Sequence, residues 1–212
     1  QVYVDRRVKT MNESIFYNVD RLQGAIAAGR AITFRYFEYN ARRERVFRRE
    51  GERYRLTPYG LIWDSENYYL AGWDELREEV RHYRVDKMAD IVVSQSKGRP
   101  RGDWTAEGYA RKHFGMFAGT PCRLRLRCEN RMAGVIIDRF GLEVPLIPDG
   151  EGFFTVSVDL VVSPPLWGWL FGLGPGVEVL GPAWAAEDFA ARLEQAAALY
   201  RDRAPQVEER GE

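Results

Sequence analysis

The chain has 212 residues, 45% of them hydrophobic and 29% charged, which is enough to bury a core in one large domain or two small ones. Lysine plus arginine and aspartate plus glutamate number 31 each, so the overall charge singles out no partner. The sequence contains no run of about 18 apolar residues and no signal peptide, so we expect a cytoplasmic protein without a membrane partner.

The first predicted element is a helix in the N-terminal region, residues 1–30. Asn12 is its expected N-cap, and Gly29 is its expected stop because glycine adopts the left-handed conformation at little cost. Apolar residues recur at helical spacing and predict one buried stripe, formed by Ile15, Phe16, Val19, Leu22 and Ile26.

Short strand patterns fill residues 31–95 and predict a small β-barrel, an architecture that leaves no free sheet edges. Ile32, Phe34 and Tyr36 alternate with their neighbours, as expected for the core side of a strand. Pro58 and Gly60 are expected to interrupt the third strand. The strands are predicted around residues 32–37, 44–49, 53–57 with a continuation to 63, 68–73, 81–85 and 91–94.

Residues 96–120 are predicted to form a linker and a helix, with Asp103 as the N-cap of a helix that runs to about residue 114. Residues 121–201 show the order strand, helix, strand, strand, helix, strand, helix, which predicts a ferredoxin-like α/β domain. Gly141 is the expected stop of its first helix, and its second strand is predicted over Glu143–Ile147. Residues 202–212 form a polar tail, and the predicted fold class is α+β.

The sequence shows no catalytic constellation, and we therefore expect a protein that is not an enzyme and that carries no metal or cofactor. The two histidines, His82 and His113, fall in different predicted domains, and no HExxH, paired CxxC, P-loop or GxSxG motif occurs. The glycine-rich loop 172–176 follows a helix and precedes a strand, the reverse of a dinucleotide-binding loop. Cys122 and Cys128 would lie roughly 20 Å apart on one strand, too far for a disulfide.

One stretch of the sequence is locally basic. Between residues 35 and 55 there are eight arginines against four glutamates, interleaved with five aromatic residues. This composition is typical of a surface that binds anions such as phosphates, and it is equally compatible with a solvated sheet face.

Alternation on two later strands predicts a ligand platform. His82 and Arg84 point outward if Tyr83 faces the core, and the same rule places Tyr69 on the outer face of its own strand. A ring beside an arginine and a histidine suits a nucleotide, although a cross-strand pair that only supports the sheet has the same spacing. The predicted ligand-binding residues are Tyr69, His82, Arg84, Lys87, Arg35, Arg53 and Arg55.

Three segments resemble a WYL domain, an SH3/Sm-like barrel of bacterial transcriptional regulators. They are Arg55–Leu61, Asn67–Trp73 and Tyr83–Met88. Tyr68 stands in place of the tryptophan of the Trp-Tyr-Leu motif, and Lys87 stands in place of an arginine in the last segment. Both replacements keep the aromatic ring or the charge.

Residues 167–182 resemble the WCX extension of the same family. The resemblance implies a homodimeric regulator whose DNA-binding winged helix-turn-helix is expected to lie outside this chain. It implies that the barrel binds a nucleotide or a single-stranded nucleic-acid effector, and that the WCX unit contributes to dimer contacts and ligand gating. The alternative is a structural module that only dimerises and has no small effector.

Overall fold

The structure, a computed structural model, describes residues 13–201, so the predicted cap Asn12 lies outside the described residues. The chain divides into two compact units, residues 1–110 and 111–212. The described elements of the first unit are helix α1 Glu13–Ala27, strands β1 Arg30–Tyr39, β2 Arg45–Phe47, β3 Tyr54–Asp64, β4 Asn67–Asp74, β5 Glu79–Arg84 and β6 Met88–Lys97, and helix α2 Ala106–Lys112, which crosses the boundary.

The first unit is an antiparallel sheet that curls around an aromatic core, which confirms the predicted SH3-like class. β1 pairs with β2, β3 and β6, and β3 leads on to β4 and β5. The predicted alternation holds, because the core side of the sheet carries a cluster of rings whose centroids lie 5.1–6.5 Å apart. These rings belong to Phe34, Tyr36, Tyr54 and Tyr83.

Helix α1 covers one side of this core. Leu22 is fully buried, and the Arg21 guanidinium donates to the Ile91 carbonyl at 2.6 Å. Gly29 has φ +58°, which confirms the predicted stop. The prediction that Phe16 belongs to the buried stripe is wrong, since Phe16 is 61% exposed. At about 100° per residue, Phe16 lies roughly 120° around the helix from Leu22.

The predicted interruption of the third strand does not occur. β3 continues through Pro58, and its register with β4 shifts between Pro58 and Gly60 at a β-bulge. The extra residue of the bulge is Tyr59, directly after Pro58, and proline is tolerated beside it because the regular hydrogen-bond ladder is already interrupted there. β3 and β4 also approach each other closely here, which requires glycine at position 72, since an added Cβ on Gly72 would lie 2.3 Å from the Thr57 carbonyl oxygen.

The second unit is an antiparallel sheet with helices, and it confirms the predicted α/β class. In the order of the sheet, its strands are the fourth, first, third and second of the unit, as in ferredoxin-like folds. Leu124, Leu126 and Cys128 of the first strand are fully buried. The described elements are β7 Thr120–Glu129, α3 Ala133–Phe140, β8 Ile147–Pro148, β9 Phe153–Val162, α4 Pro164–Gly172, β10 Val177–Gly181 and α5 Ala183–Arg201.

Two predicted boundaries after residue 100 are wrong. Thr105, not Asp103, caps α2, because the Thr105 hydroxyl accepts the Gly108 N–H at 3.1 Å. The strand predicted over Glu143–Ile147 is reduced to Ile147–Pro148. Gly141 ends α3 as predicted, with φ +96°, but its carbonyl then accepts the Val144 N–H in a turn that keeps the chain out of the sheet. None of the described helices combines the length and hydropathy that crossing a bilayer requires.

Candidate ligand-binding surface of the first unit

Arg84, at the end of β5, is held in place by its neighbours. Its guanidinium donates to both carboxylate oxygens of Asp86, at 3.0 and 2.8 Å, and to the Asn67 side-chain oxygen at 2.7 Å. Its backbone N–H donates to the Tyr36 hydroxyl at 3.2 Å. A third of the side chain remains exposed to solvent. Arg84 is therefore an oriented guanidinium at the surface whose Nε and Nη2 hydrogens are taken by Asp86 and Asn67, so that a further anion would meet its Nη1.

More cations gather at the same place. The Arg48 guanidinium lies 5.7 Å from the centroid of the Tyr36 ring and pairs with Glu38. The hydrogen bond from Arg48 holds the pKa of Glu38 below its ordinary value, and the charge of Lys87 lowers it further. Three cations and two carboxylates thus form what we call the Tyr36 cluster, which consists of Tyr36, Glu38, Arg48, Arg84, Asp86 and Lys87.

The Tyr36 hydroxyl is neutral at physiological pH. Burial raises the pKa of Tyr36 to about 12, with the hydrogen bond from the Arg84 backbone acting in the opposite direction. A neutral phenol keeps its proton and is able to donate it in a hydrogen bond. The cluster therefore presents a net positive charge beside a neutral hydroxyl.

The turn between β2 and β3 is strained, and its strain places a further arginine. Arg49 and Glu50 have φ of 51° and 53°, values that residues with a side chain adopt at a cost of about 1–2 kcal/mol each. Gly51 follows with φ 87°. This backbone sets the Arg49 guanidinium over the Tyr54 ring, 4.2 Å from its centroid. Arg49 has no carboxylate partner among residues 13–201, so its charge is unneutralised.

The predicted residues Arg35, Arg53 and Arg55 lie elsewhere: Arg35 on β1, Arg55 on β3, and Arg53 directly before β3. Arg35 pairs with the Asp90 carboxylate and stacks over the Phe47 ring at 4.3 Å. Arg53 donates to the Thr33 hydroxyl at 3.0 Å and to the Asp90 carbonyl. Arg55 is exposed and pairs in register with Thr33. Arg35 and Arg53 thus cross-link strands, and the three arginines do not join the Tyr36 cluster.

Tyr69 and His82 share one face of the sheet, as predicted, but this face is covered. Their ring centroids are 6.1 Å apart, and the His82 Nδ1 lies 2.8 Å from the Tyr109 hydroxyl. The Trp104 ring packs on Tyr109 at 5.9 Å, and Tyr69 is only 6% exposed. Tyr109 thus packs on His82, and Trp104 packs on Tyr109. Stacking of a base on the buried Tyr69 ring stays a prediction, and it requires that the surroundings of Tyr69 open.

Sequence reasoning did not single out Arg48 and Arg49 as site residues. Both belong to the basic stretch, and the Glu-Gly-Glu hairpin pattern directly after them indicates a turn. That pattern does not reveal that the turn folds back over two tyrosine rings. Tyr36 lies 12 residues before Arg48 in the chain, and Tyr54 lies five residues after Arg49. The contact depends on the curl of the sheet.

The cysteines and the acidic groups form no metal site in the described part of the chain. Cys122 and Cys128 are free, as predicted. Burial raises the pKa of the Cys128 thiol to about 11, so that side chain is an inert core residue.

Comparison with known proteins identifies both units. The family model of the WYL domain matches residues 17–93, and that of the WCX domain matches residues 120–197. The proteasome accessory factor B/C of Arthrobacter aurescens is 22% identical with a TM-score of 0.38, over 90% of this chain and 29% of that one. A CRISPR Cas-related protein is 15% identical with a TM-score of 0.50, over 88% of this chain and 52% of that one. The second likeness concerns the fold alone, and this chain spans about half of that protein or less in either case. No curated protein sequence matches the chain.

Proposed function

Since the chain carries a WYL domain at residues 17–93 followed by a WCX domain at residues 120–197, we propose that it is the effector-sensing and dimerisation region of a bacterial transcriptional regulator. Its effector is a nucleotide or a single-stranded nucleic acid that binds to the WYL barrel. Binding biases the arrangement of a cytoplasmic homodimer and so controls a DNA-binding domain. The size of that bias is limited by the difference in effector affinity between the two arrangements.

The observation that carries this proposal is the strained turn that aims Arg48 and Arg49 at the aromatic end of the barrel. Left-handed conformations of residues with side chains persist where the surrounding structure holds them, and they concentrate at functional sites. Arg49 contributes an unneutralised guanidinium, and Arg84 contributes an oriented one. Guanidinium groups that stack on aromatic rings leave their N–H edges open to phosphate oxygens.

A purely structural dimerisation module is the second candidate, and one observation favours it. Arg48 and Arg84 each have a carboxylate partner within the chain, so both are satisfied without a ligand. In that case the Tyr36 cluster serves only to join β1, β5 and the turn after β2. The two candidates differ in whether the surface binds an anion that the chain does not supply.

Direct titration separates the candidates. Fluorescence anisotropy of a labelled oligothymidylate of about 12 nucleotides is measured with the whole chain and, as a control, with the Arg123→Ala variant. Arg123 is exposed on β7, so its replacement removes one positive charge outside the WYL domain. We expect saturable binding that both proteins share and that weakens as salt is added. Two results would favour the structural module: a heparin fragment that competes as well as the oligonucleotide at equal charge, or a dimeric protein that does not bind the oligonucleotide. Turnover of the oligonucleotide would indicate an enzyme.

A further inference from the structure

A row of three cations follows the end of β6, in the stretch between the two matched domains. Lys97, Arg99 and Arg101 occupy alternate positions of the chain, and all three are exposed. We call this row the basic strip. It begins after residue 93, where the WYL match ends, and it ends well before residue 120, where the WCX match begins. The basic strip is therefore a surface separate from the Tyr36 cluster.

The backbone of the basic strip is fixed to the barrel. The Arg99 N–H donates to the Thr57 hydroxyl at 3.0 Å, and the Tyr59 hydroxyl donates to the Pro100 carbonyl at 3.2 Å. A Cβ on Gly98 would lie 2.3 Å from the Thr57 methyl group, so glycine allows the segment to come this close. The cations are therefore held in a row before any partner arrives, which reduces the ordering cost of binding.

The charge of the basic strip is not neutralised by the described part of the chain. Within residues 13–201, none of its three cations forms an ion pair, and neither does Arg30, which pairs in register with Lys97. The depression that the strip borders is lined by no aspartate or glutamate. Glu75 accepts the Thr57 hydroxyl at 3.2 Å and pairs with none of these cations. This surface therefore attracts an anionic partner from outside the chain.

The basic strip offers charge without a stacking surface. The Arg99 guanidinium lies over the Trp73 ring at 4.0 Å, and Tyr59 is buried. Proteins that bind single strands combine positive charge with exposed rings on which bases stack, whereas duplex DNA presents one phosphate per strand for about every 3.4 Å of helix axis. A residue that precedes a proline, such as Arg99, favours extended conformations, and alternate residues of an extended chain lie roughly 6.6 Å apart. Each cation of the strip is thus able to meet a phosphate of one DNA strand.

We propose that the basic strip binds the phosphate backbone of duplex DNA. Lys97, Arg99 and Arg101 each contact one phosphate, and the contact is independent of base sequence because phosphates carry no sequence information. The proposal gives this chain a duplex contact of its own, in addition to those of a DNA-binding domain. It does not depend on the effector surface of the proposed function.

Salt titration of duplex binding tests the assignment. Fluorescence anisotropy of a labelled duplex of about 20 base pairs and mixed sequence is measured with the whole chain between about 0.02 and 0.1 M salt. We expect a slope of log affinity against log salt between about −2.7 and −3.6, for three or four phosphate contacts. Lys97→Gln and Arg101→Gln should each reduce the steepness of this slope by about 0.9 and weaken binding about 15-fold at about 0.05 M salt, with unchanged melting temperatures. Lys97→Arg keeps the charge and should keep the wild-type slope.

Control variants separate this contact from overall charge and from the effector surface. Arg123→Gln removes an exposed cation of the second unit and should leave the duplex slope unchanged. Lys97→Gln and Arg101→Gln should leave oligothymidylate binding unchanged, and Arg49→Gly should leave duplex binding unchanged. An absence of duplex binding at about 0.02 M salt, a wild-type slope in both glutamine variants of the strip, or an equal loss in Arg123→Gln would overturn the proposal. If the strip variants weaken duplex and oligothymidylate binding equally, the strip belongs to the effector surface and the assignment to duplex DNA is wrong.

Discussion

Replacement of Arg49 by glycine tests whether the strained turn exists to present a cation. The change removes a left-handed residue, which returns about 1–2 kcal/mol, and it adds a glycine, which costs about 0.5–1 kcal/mol of unfolded-state entropy. It also removes an exposed cation–π contact of about 0.5–1 kcal/mol. These contributions nearly cancel, so the free energy of unfolding of Arg49→Gly should stay within about 0.5 kcal/mol of wild type.

Oligonucleotide binding should change in a defined way. Each phosphate contact to a single strand contributes about 0.7 to the slope of log affinity against log salt, which is about fourfold in affinity at 0.15 M salt. Arg49→Gly should therefore bind oligothymidylate about fourfold more weakly at that salt concentration, with a slope lower by about 0.7. Anisotropy titrations between about 0.05 and 0.3 M salt measure both quantities.

The adjacent residue provides a matched control. Glu50 has nearly the same φ as Arg49 but carries no cation, so Glu50→Gly relieves the same strain and keeps the contact. We expect Glu50→Gly to raise the free energy of unfolding by about 0.5–1 kcal/mol and to leave the salt slope unchanged. If Arg49→Gly and Glu50→Gly show the same slope as wild type, Arg49 makes no phosphate contact and the reasoning about the turn fails.

Four further predictions concern stability, the site and assembly. Arg84→Ala should weaken oligonucleotide binding at least about tenfold and also lower the free energy of unfolding by about 1–2 kcal/mol, because it removes charged hydrogen bonds that solvent partly screens; an unchanged urea midpoint would contradict this. Leu22→Ala should cost about 2–5 kcal/mol in urea denaturation, while Phe16→Ala should cost under about 0.5 kcal/mol. Since burial raises the pKa of Tyr36 to about 12, above the ordinary value of about 10, the stabilisation from its neutral form is full below about pH 10 and is lost as pH rises through 12. Across that pH range, the free energy of unfolding of Tyr36→Phe should fall less steeply with pH than that of the wild type. We expect a homodimer by light scattering at tens of micromolar, and Phe171→Ser, at a residue 66% exposed on α4, should shift it toward monomer without lowering the melting temperature.

A short helix of the second unit is crowded with large apolar residues, which predicts a partner surface. These residues are Trp167, Trp169 and Phe171, and the structure buries some of them and exposes another. The Trp167 indole is buried and donates to Asp188 at 2.8 Å, so it belongs to the core. Phe171 is exposed, which leaves it as the residue of the three that a partner would cover.

Local patterns by themselves determined most of the element order. Alternation in residues 32–36 and 124–128 identified core strands, because a strand sends successive side chains to opposite faces wherever it lies in the chain. Gly29 and Gly141 marked helix ends, because their positive φ is a property of the single residue. The motif segments around Tyr68 and Tyr83 likewise identified the WYL domain without knowledge of any contact.

Contacts between distant segments were decided only by the tertiary structure. The alternation rule correctly placed Tyr69 and His82 on one face, but it contained no information on Trp104 and Tyr109, which cover that face from 20 or more residues away. Pro58 alone indicates the end of a strand, but in the fold β3 bulges at Tyr59 and the partner strand supplies Gly72 opposite Pro58. Periodicity reports which side of an element a residue occupies, whereas the neighbours on that side depend on how the sheet curls and where the chain returns.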